Sequence, residues 1–154
     1  MTDYPPLSLP PFDIKVRTMP EGRDVFDPLR RRWVRLTPEE WVRQHFCNYL
    51  VHHRGYPATS LGNEVGVNVG GVSRRCDTLL YRREGATPRM IVEYKAPGIP
   101  ITESVFTQIQ SYNSVLRADY LVVSNGLQTF CLHMDYVAQQ ATFLPEVPAY
   151  SELQ

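Results

Sequence analysis

Met90-Ile91-Val92-Glu93-Tyr94-Lys95, followed by Ala96-Pro97-Gly98, is the stretch on which the reading of this chain turns. Its apolar, β-branched and aromatic residues read as a buried strand. The strand stops where Pro97 removes the amide donor a ladder needs. Inside it sit Glu93 and Lys95, two apart and therefore facing the same way. The preceding strand, Arg74 to Arg82, is expected to place Cys76, Thr78 and Leu80 on one face and Asp77, Leu79 and Tyr81 on the other. Joined to the first stretch by the turn Glu84-Gly85-Ala86-Thr87-Pro88, it brings Asp77 to the same end of the hairpin as Glu93 and Lys95. Charges in an otherwise apolar strand are rarely buried unless they are paired or hold a metal. Two carboxylates at this spacing suit Mg²⁺ or Mn²⁺, with the Tyr94 carbonyl as a further candidate ligand. Such an ion polarises a phosphodiester oxygen and activates water, and Lys95 would position the nucleophile or offset charge developing on phosphorus. The alternative is a solvent-facing salt bridge, Glu93–Lys95 or Asp77–Lys95.

Outward from this hairpin, Glu64 to Val69 alternates as a strand, and Gly70-Gly71 is a hairpin turn. Thr37, Pro38 and Glu40 mark a helix start with a capping box, and Val42, Phe46, Tyr49 and Leu50 give that helix one apolar face. Gly55 and Pro57 end it. Thr102 and Glu103 open a second helix with Val105, Ile109, Tyr112 and Leu116 at helical spacing. Tyr120 to Ser124 reads as a buried central strand. Asn125-Gly126 reads as a two-residue turn, with Gln128 to His133 pairing back and Ala141 to Leu144 as an edge strand. The order α-β-β-β-α-β-β(-β) predicts one α/β domain, a mixed sheet flanked by helices. The boundaries are a proline-rich arm over 1–24, the domain over 25–145 and a loose tail over 146–154.

At 154 residues and 43% hydrophobic the chain holds one domain with a substantial core. Sixteen basic and sixteen acidic residues cancel, which excludes a strongly basic nucleic-acid-coating protein but not a local basic surface. Lys15 and Lys95 are the only lysines, so the place of Lys95 calls for a reason. No membrane span or secretory signal is visible. Cys47, Cys76 and Cys131 have no CxxC spacing, and a reducing cytoplasm is the expected setting. His45, His52, His53, Cys131 and His133 lack the spacing of a zinc site. Arg30, Arg31, Arg32, Arg35, Arg74 and Arg75 are candidates for a phosphate-contacting rim, with Trp33 and Trp41 as aromatic surface; a solvated charged rim is the plainer reading of any one arginine.

The placement of Asp77 and Glu93-x-Lys95 on this strand order resembles the PD-(D/E)XK nucleases, whose restriction-endonuclease-like core is αβββαβ. More closely, Phe26 to Val34, Leu36 to Gln44, Arg74 to Asp77, Ile91 to Pro97 and Ser124 to Gly126 resemble the N-terminal nuclease domain of type I restriction enzyme R subunits. The resemblance implies a metal-dependent DNA endonuclease with Asp77 and Glu93 as metal ligands and Lys95 as catalytic lysine. Gln108 and Tyr112 match the Gln-x-x-x-Tyr element of RecB-like members and share one helix face; core packing beside Ile109 is the other reading of Tyr112. A glutamate on the first helix is implied to reach the metal. Glu40 is the first choice, and Glu39, nearer the apolar stripe, the second. Arg31, Arg32, Arg74 and Arg75 are the expected DNA contacts. Cys76 stands where the motif has proline, and no G-x-x-x-x-G-K-[ST] loop is present, so no translocation by this chain alone is expected. The implied partners are DNA and either restriction-complex subunits or a second copy. The rival expectations are a catalytically weak or inactive nuclease-fold module that binds DNA or a partner subunit, and a purely structural domain.

Overall fold

The structure is a computed structural model that describes residues 4–84 and 87–153. Gly85 and Ala86 of the expected second turn lie outside the described residues. The chain forms β1 (Val16–Met19), β2 (Gly22–Asp27), β3 (Arg32–Arg35), α1 (Pro38–His53), β4 (Leu61–Val69), β5 (Val72–Tyr81), β6 (Pro88–Tyr94), α2 (Glu103–Leu116), β7 (Tyr120–Ser124), β8 (Thr129–Asp135) and β9 (Gln140–Leu144). Six strands make one sheet in the order β4-β5-β6-β7-β8-β9. Only β6 and β7 in it run parallel, joined by the α2 crossover, so the mixed sheet is the one expected. The αβββαβ core is α1-β4-β5-β6-α2-β7.

The helices cover opposite faces. Val42, Phe46 and Leu50 of α1 pack on Leu80, Met90, Val92, Tyr94 and Val122. Val105, Ile109 and Tyr112 of α2 pack on Leu79, Ile91, Leu121, Val123 and Leu132. Being covered on both sides, β6 and β7 are buried almost along their whole length. Gly70 and Gly71 take φ of +60° and +83°, the left-handed values a two-residue hairpin turn requires, between the paired Val69 and Val72. No helix among the described residues is long and apolar enough to cross a membrane. All three cysteines are buried and free.

Four expectations need correction. The arm does not continue to residue 24: from Val16 the chain enters a second, three-stranded antiparallel sheet, β1-β2-β3, whose Val25 packs on Leu36 and Trp41. Charged and aromatic residues mixed on its outer face hid its alternation. The tail is not loose, because Val147 is 3% exposed in the core and Tyr56 donates its hydroxyl to the Pro148 carbonyl at 2.9 Å. The turn after β7 is longer than two residues, since Asn125 N donates to Gln128 O and β8 starts at Thr129. Cys76 does not share a face with Leu80: it packs with Leu79 and Ile91 on the α2 side. The β4–β5 ladder has Asn63 opposite Thr78 and Val65 opposite Cys76 but no pair between them. Glu64, at that gap, has φ +56°, and this kink turns the far half of the hairpin.

Candidate active site

Asp77 stands at the gap in the β4–β5 ladder, one residue before Thr78, the first residue of β5 to pair with β6. Thr78 is opposite Val92, so Asp77 and Glu93 face each other where the two ladders part. The Tyr94 amide donates to Asp77 Oδ2 at 2.8 Å. The Asp77 and Glu93 carboxyls are near enough for each to shift the other's ionisation. Burial first, and then the neighbouring negative charge of Asp77, raises the Glu93 carboxyl well above its ordinary range. Burial also raises Asp77, against the Tyr94 amide and Arg43. Two carboxyls this close do not both ionise freely, and one proton belongs to the pair. Lys95, just past the end of β6, is tied by its amide to Ser124 O at 2.9 Å, while its ammonium has no hydrogen-bond or ion-pair partner among the described residues. Neither of the salt bridges weighed as the alternative, Glu93–Lys95 or Asp77–Lys95, is formed.

These three side chains line one cavity of about 510 Å³ together with Tyr94, Glu40, Glu39, Glu64, Arg43, Arg32 and Arg75. Glu40 does not close the capping box. Thr37 Oγ1 accepts from the Glu40 amide at 3.1 Å as expected, but the Glu40 carboxylate turns inward to Arg43, Arg30 and Gln44 at 2.7, 2.7 and 2.8 Å. Between the two first-turn acids the buried one is thus Glu40, and Glu39 is exposed. Gln108 and Tyr112 meet each other at 3.4 Å on α2 but do not line the cavity; Tyr112 is core, with Arg74 over its ring at 5.7 Å. Arg74 and Arg31 are exposed outside the cavity, whereas Arg30 is only 13% exposed and locked to Asp27 and Glu40, so it is no free rim cation.

Two residues that sequence reasoning missed organise the site. Arg43 of α1, 5% exposed, reaches Glu40 at 2.7 Å, Glu64 at 2.6 Å and Asp77 at 3.6 Å and lies over the Tyr94 ring at 5.6 Å. Burial opposes its charge, but the surrounding carboxylates outweigh that and hold the guanidinium more firmly protonated than usual. Glu64, at the strand kink, also faces Arg75 at 3.6 Å. The i,i+3 spacing of Glu40 and Arg43 was the available signal for the first, and the register placing Glu64 opposite Asp77 for the second.

The ion chain continues to Asp27, 1% exposed, which takes hydrogen bonds from Asn63, Arg30 and the Leu29 amide. Burial alone would raise the Asp27 carboxyl; these donors outweigh it and hold the group below its ordinary 3.8. A carboxyl lowered in the folded state adds stability above its unfolded value, and that stability is lost as pH falls through the folded value. The thermal midpoint of the wild type is therefore expected to drop more steeply below about pH 4 than that of Asp27→Asn, measured by circular dichroism. Equal acid slopes would show that Asp27 is not held this way.

A small divalent ion that keeps much of its water needs few protein donors. Among the described residues no group of three His, Cys, Asp or Glu side chains is gathered to hold a metal. Asp77 and Glu93 would supply two hard oxygens, water the rest, and an ion between them would take the place of the shared proton.

The sequence family described as type I restriction enzyme R protein N terminus matches residues 38–148. In fold, the chain is similar to a fragment of a putative HsdR subunit of a type I restriction enzyme from Vibrio vulnificus YJ016, with a TM-score of 0.56 and 21% identity. That match covers 77% of this chain and 24% of the other, so this chain spans about a quarter of the other's length. No curated protein matches in sequence. The matched region runs from α1 through β9 and holds Asp77, Glu93 and Lys95, and the chain belongs to the family of type I restriction enzyme R protein N-terminal domains.

Proposed function

We propose that this domain is a metal-dependent DNA endonuclease of the PD-(D/E)XK type, hydrolysing phosphodiester bonds with Mg²⁺ or Mn²⁺. The observation that carries the reading is the convergence of Asp77, Glu93 and an unpaired Lys95 on one open cavity. When bound, the ion would polarise the scissile phosphate and lower the pKa of a water. Asp77, fixed by the Tyr94 amide and Arg43, and Glu93 opposite it would hold that ion. Lys95 would orient the attacking water and offset charge on the phosphate oxygens. Arg32 and Arg75 at the rim would hold the DNA backbone, Arg31 and Arg74 extending that contact. We place the activity in the cytoplasm, with restriction-complex subunits or a second copy as partners. The test is nicking of supercoiled plasmid by the purified chain with Mg²⁺ or Mn²⁺. Wild type is expected to cut, and Asp77→Ala to leave the plasmid intact; equal cutting by both rejects the assignment.

One observation favours a second reading, a nuclease-fold module that binds DNA or a partner subunit without cutting: Arg43 already neutralises part of the Asp77 charge. Salt-dependent DNA binding with no metal-stimulated nicking would select it.

A further inference from the structure

We propose that the outer face of the β1-β2-β3 sheet is a platform for a single-stranded DNA segment continuing from the cavity. The inference rests on reading the cavity as a DNA site, and the sheet itself lies outside the residues 38–148 matched by the family.

The register builds the platform. Val16, Val25 and Val34 form one row, turned toward the packed interior with Trp41. The intervening positions face outward. Arg17, Asp24 and Arg35 form one outer row, and Phe26 pairs with Trp33 in the next, beside Lys15, whose carbonyl accepts from the Phe26 amide. Phe26 and Trp33 meet edge to face, with centroids 5.5 Å apart. Lys15 lies over the Phe26 ring at 5.7 Å and Arg17 over the Trp33 ring at 4.5 Å. The Arg17 and Arg35 side chains stay 43% and 44% exposed even though Asp24 takes both, and Glu21 also takes Arg35. Among the described residues this aromatic pair joins none of the core clusters and stays half-buried.

Charge and position select the occupant. Arg17 and Arg35 are shared with Asp24 and Glu21, and Lys15, over the Phe26 ring, has no ion pair among the described residues. A polyanion whose flat rings stack on aromatic or guanidinium planes satisfies both halves of the surface. The path also leads to the chemistry: Arg35, in the outer row two residues from Trp33, lines the cavity that holds Asp77, Glu93 and Lys95. A strand held by a phosphate at Arg35 would thus have its next bases over Trp33 and Phe26. Stacking needs unpaired bases, so the platform commits to single-stranded DNA.

The test is binding of fluorescein-labelled oligo(dT) to the full chain in EDTA, read by anisotropy and by Trp33 fluorescence quenching. Trp33→Leu is expected to weaken binding about 5- to 150-fold, the value of one stacked base, and to abolish the quenching. Arg17→Gln, at an exposed position that does not threaten the fold, is expected to lower the salt slope by about 0.7, one phosphate contact to a single strand. Unchanged affinity and slope in both variants overturn the inference, as does binding of duplex DNA alone or of no DNA. Plasmid nicking separates the two proposals. Nicking without oligo(dT) binding leaves the nuclease reading standing and removes the platform. Trp33-dependent binding without nicking does the reverse.

Discussion

Lys95→Ala is expected to lower metal-stimulated plasmid nicking by about 10²- to 10³-fold, the loss typical for removing one preorganised donor from a site of developing charge. The same substitution is expected to leave the thermal midpoint unchanged. The Lys95 ammonium makes no hydrogen bond or ion pair among the described residues and acts on the site only through its field at Glu93, so its removal strands no bonded partner. Its backbone stays anchored by the amide bond to Ser124 O. A lysine that only balanced charge would be replaced well by arginine. A lysine that aims one compact donor at a reacting group would not, because the guanidinium is wider and planar. Lys95→Arg is therefore expected to stay at least tenfold below wild type in rate, about 1.4 kcal/mol of barrier. If Lys95→Ala nicks as fast as wild type in a preparation whose nicking depends on Asp77, Lys95 has no part in the chemistry.

The site was legible in the sequence where backbone periodicity decides position. Strand alternation puts Glu93 and Lys95 on one side, and the short hairpin brings Asp77 to them; both hold. The cap at Thr37 and the helical stripe of α1 hold for the same reason, since local backbone chemistry fixes them. What was not legible depends on partners remote in sequence. Glu40 fits a capping box by local rules, yet Arg30 and Arg43 compete for its carboxylate and win, because two charge-assisted hydrogen bonds outweigh one return bond to its own cap. The β1-β2-β3 sheet was hidden because its outward positions mix charge with aromatics. Tyr112 shows the limit from the other side: helical spacing put it near Gln108, but whether that face meets the cavity or the core is set by the α2 crossover, and α2 packs on the sheet face away from α1.

Arg43→Met is expected to cost about 3–5 kcal/mol of folding stability, more than any surface arginine, because it breaks a buried ion cluster from its centre. Methionine keeps the length and apolar stem, so the loss reads the charge rather than a cavity. Without the guanidinium, Glu40 retains Arg30 and Gln44, but Glu64 keeps only the distant, exposed Arg75, and Asp77 keeps the Tyr94 amide and the carboxyl of Glu93. At about 2–4 °C per kcal/mol for a chain of this size, the thermal midpoint is expected to fall by about 6–20 °C. The sign of the pH dependence distinguishes this cause from simple misfolding. Without Arg43, burial is left to hold the Asp77 proton more tightly in the folded state than in the unfolded one, so lowering pH stabilises the folded variant. The deficit is expected to shrink as the pH is brought from about 7 toward 5. Glu64→Gln added to Arg43→Met is expected to recover part of the loss at neutral pH, since it removes one of the stranded charges. A midpoint within about 2 °C of wild type, or a deficit that grows on acidification, would mean that Arg43 does not hold the acidic cluster together.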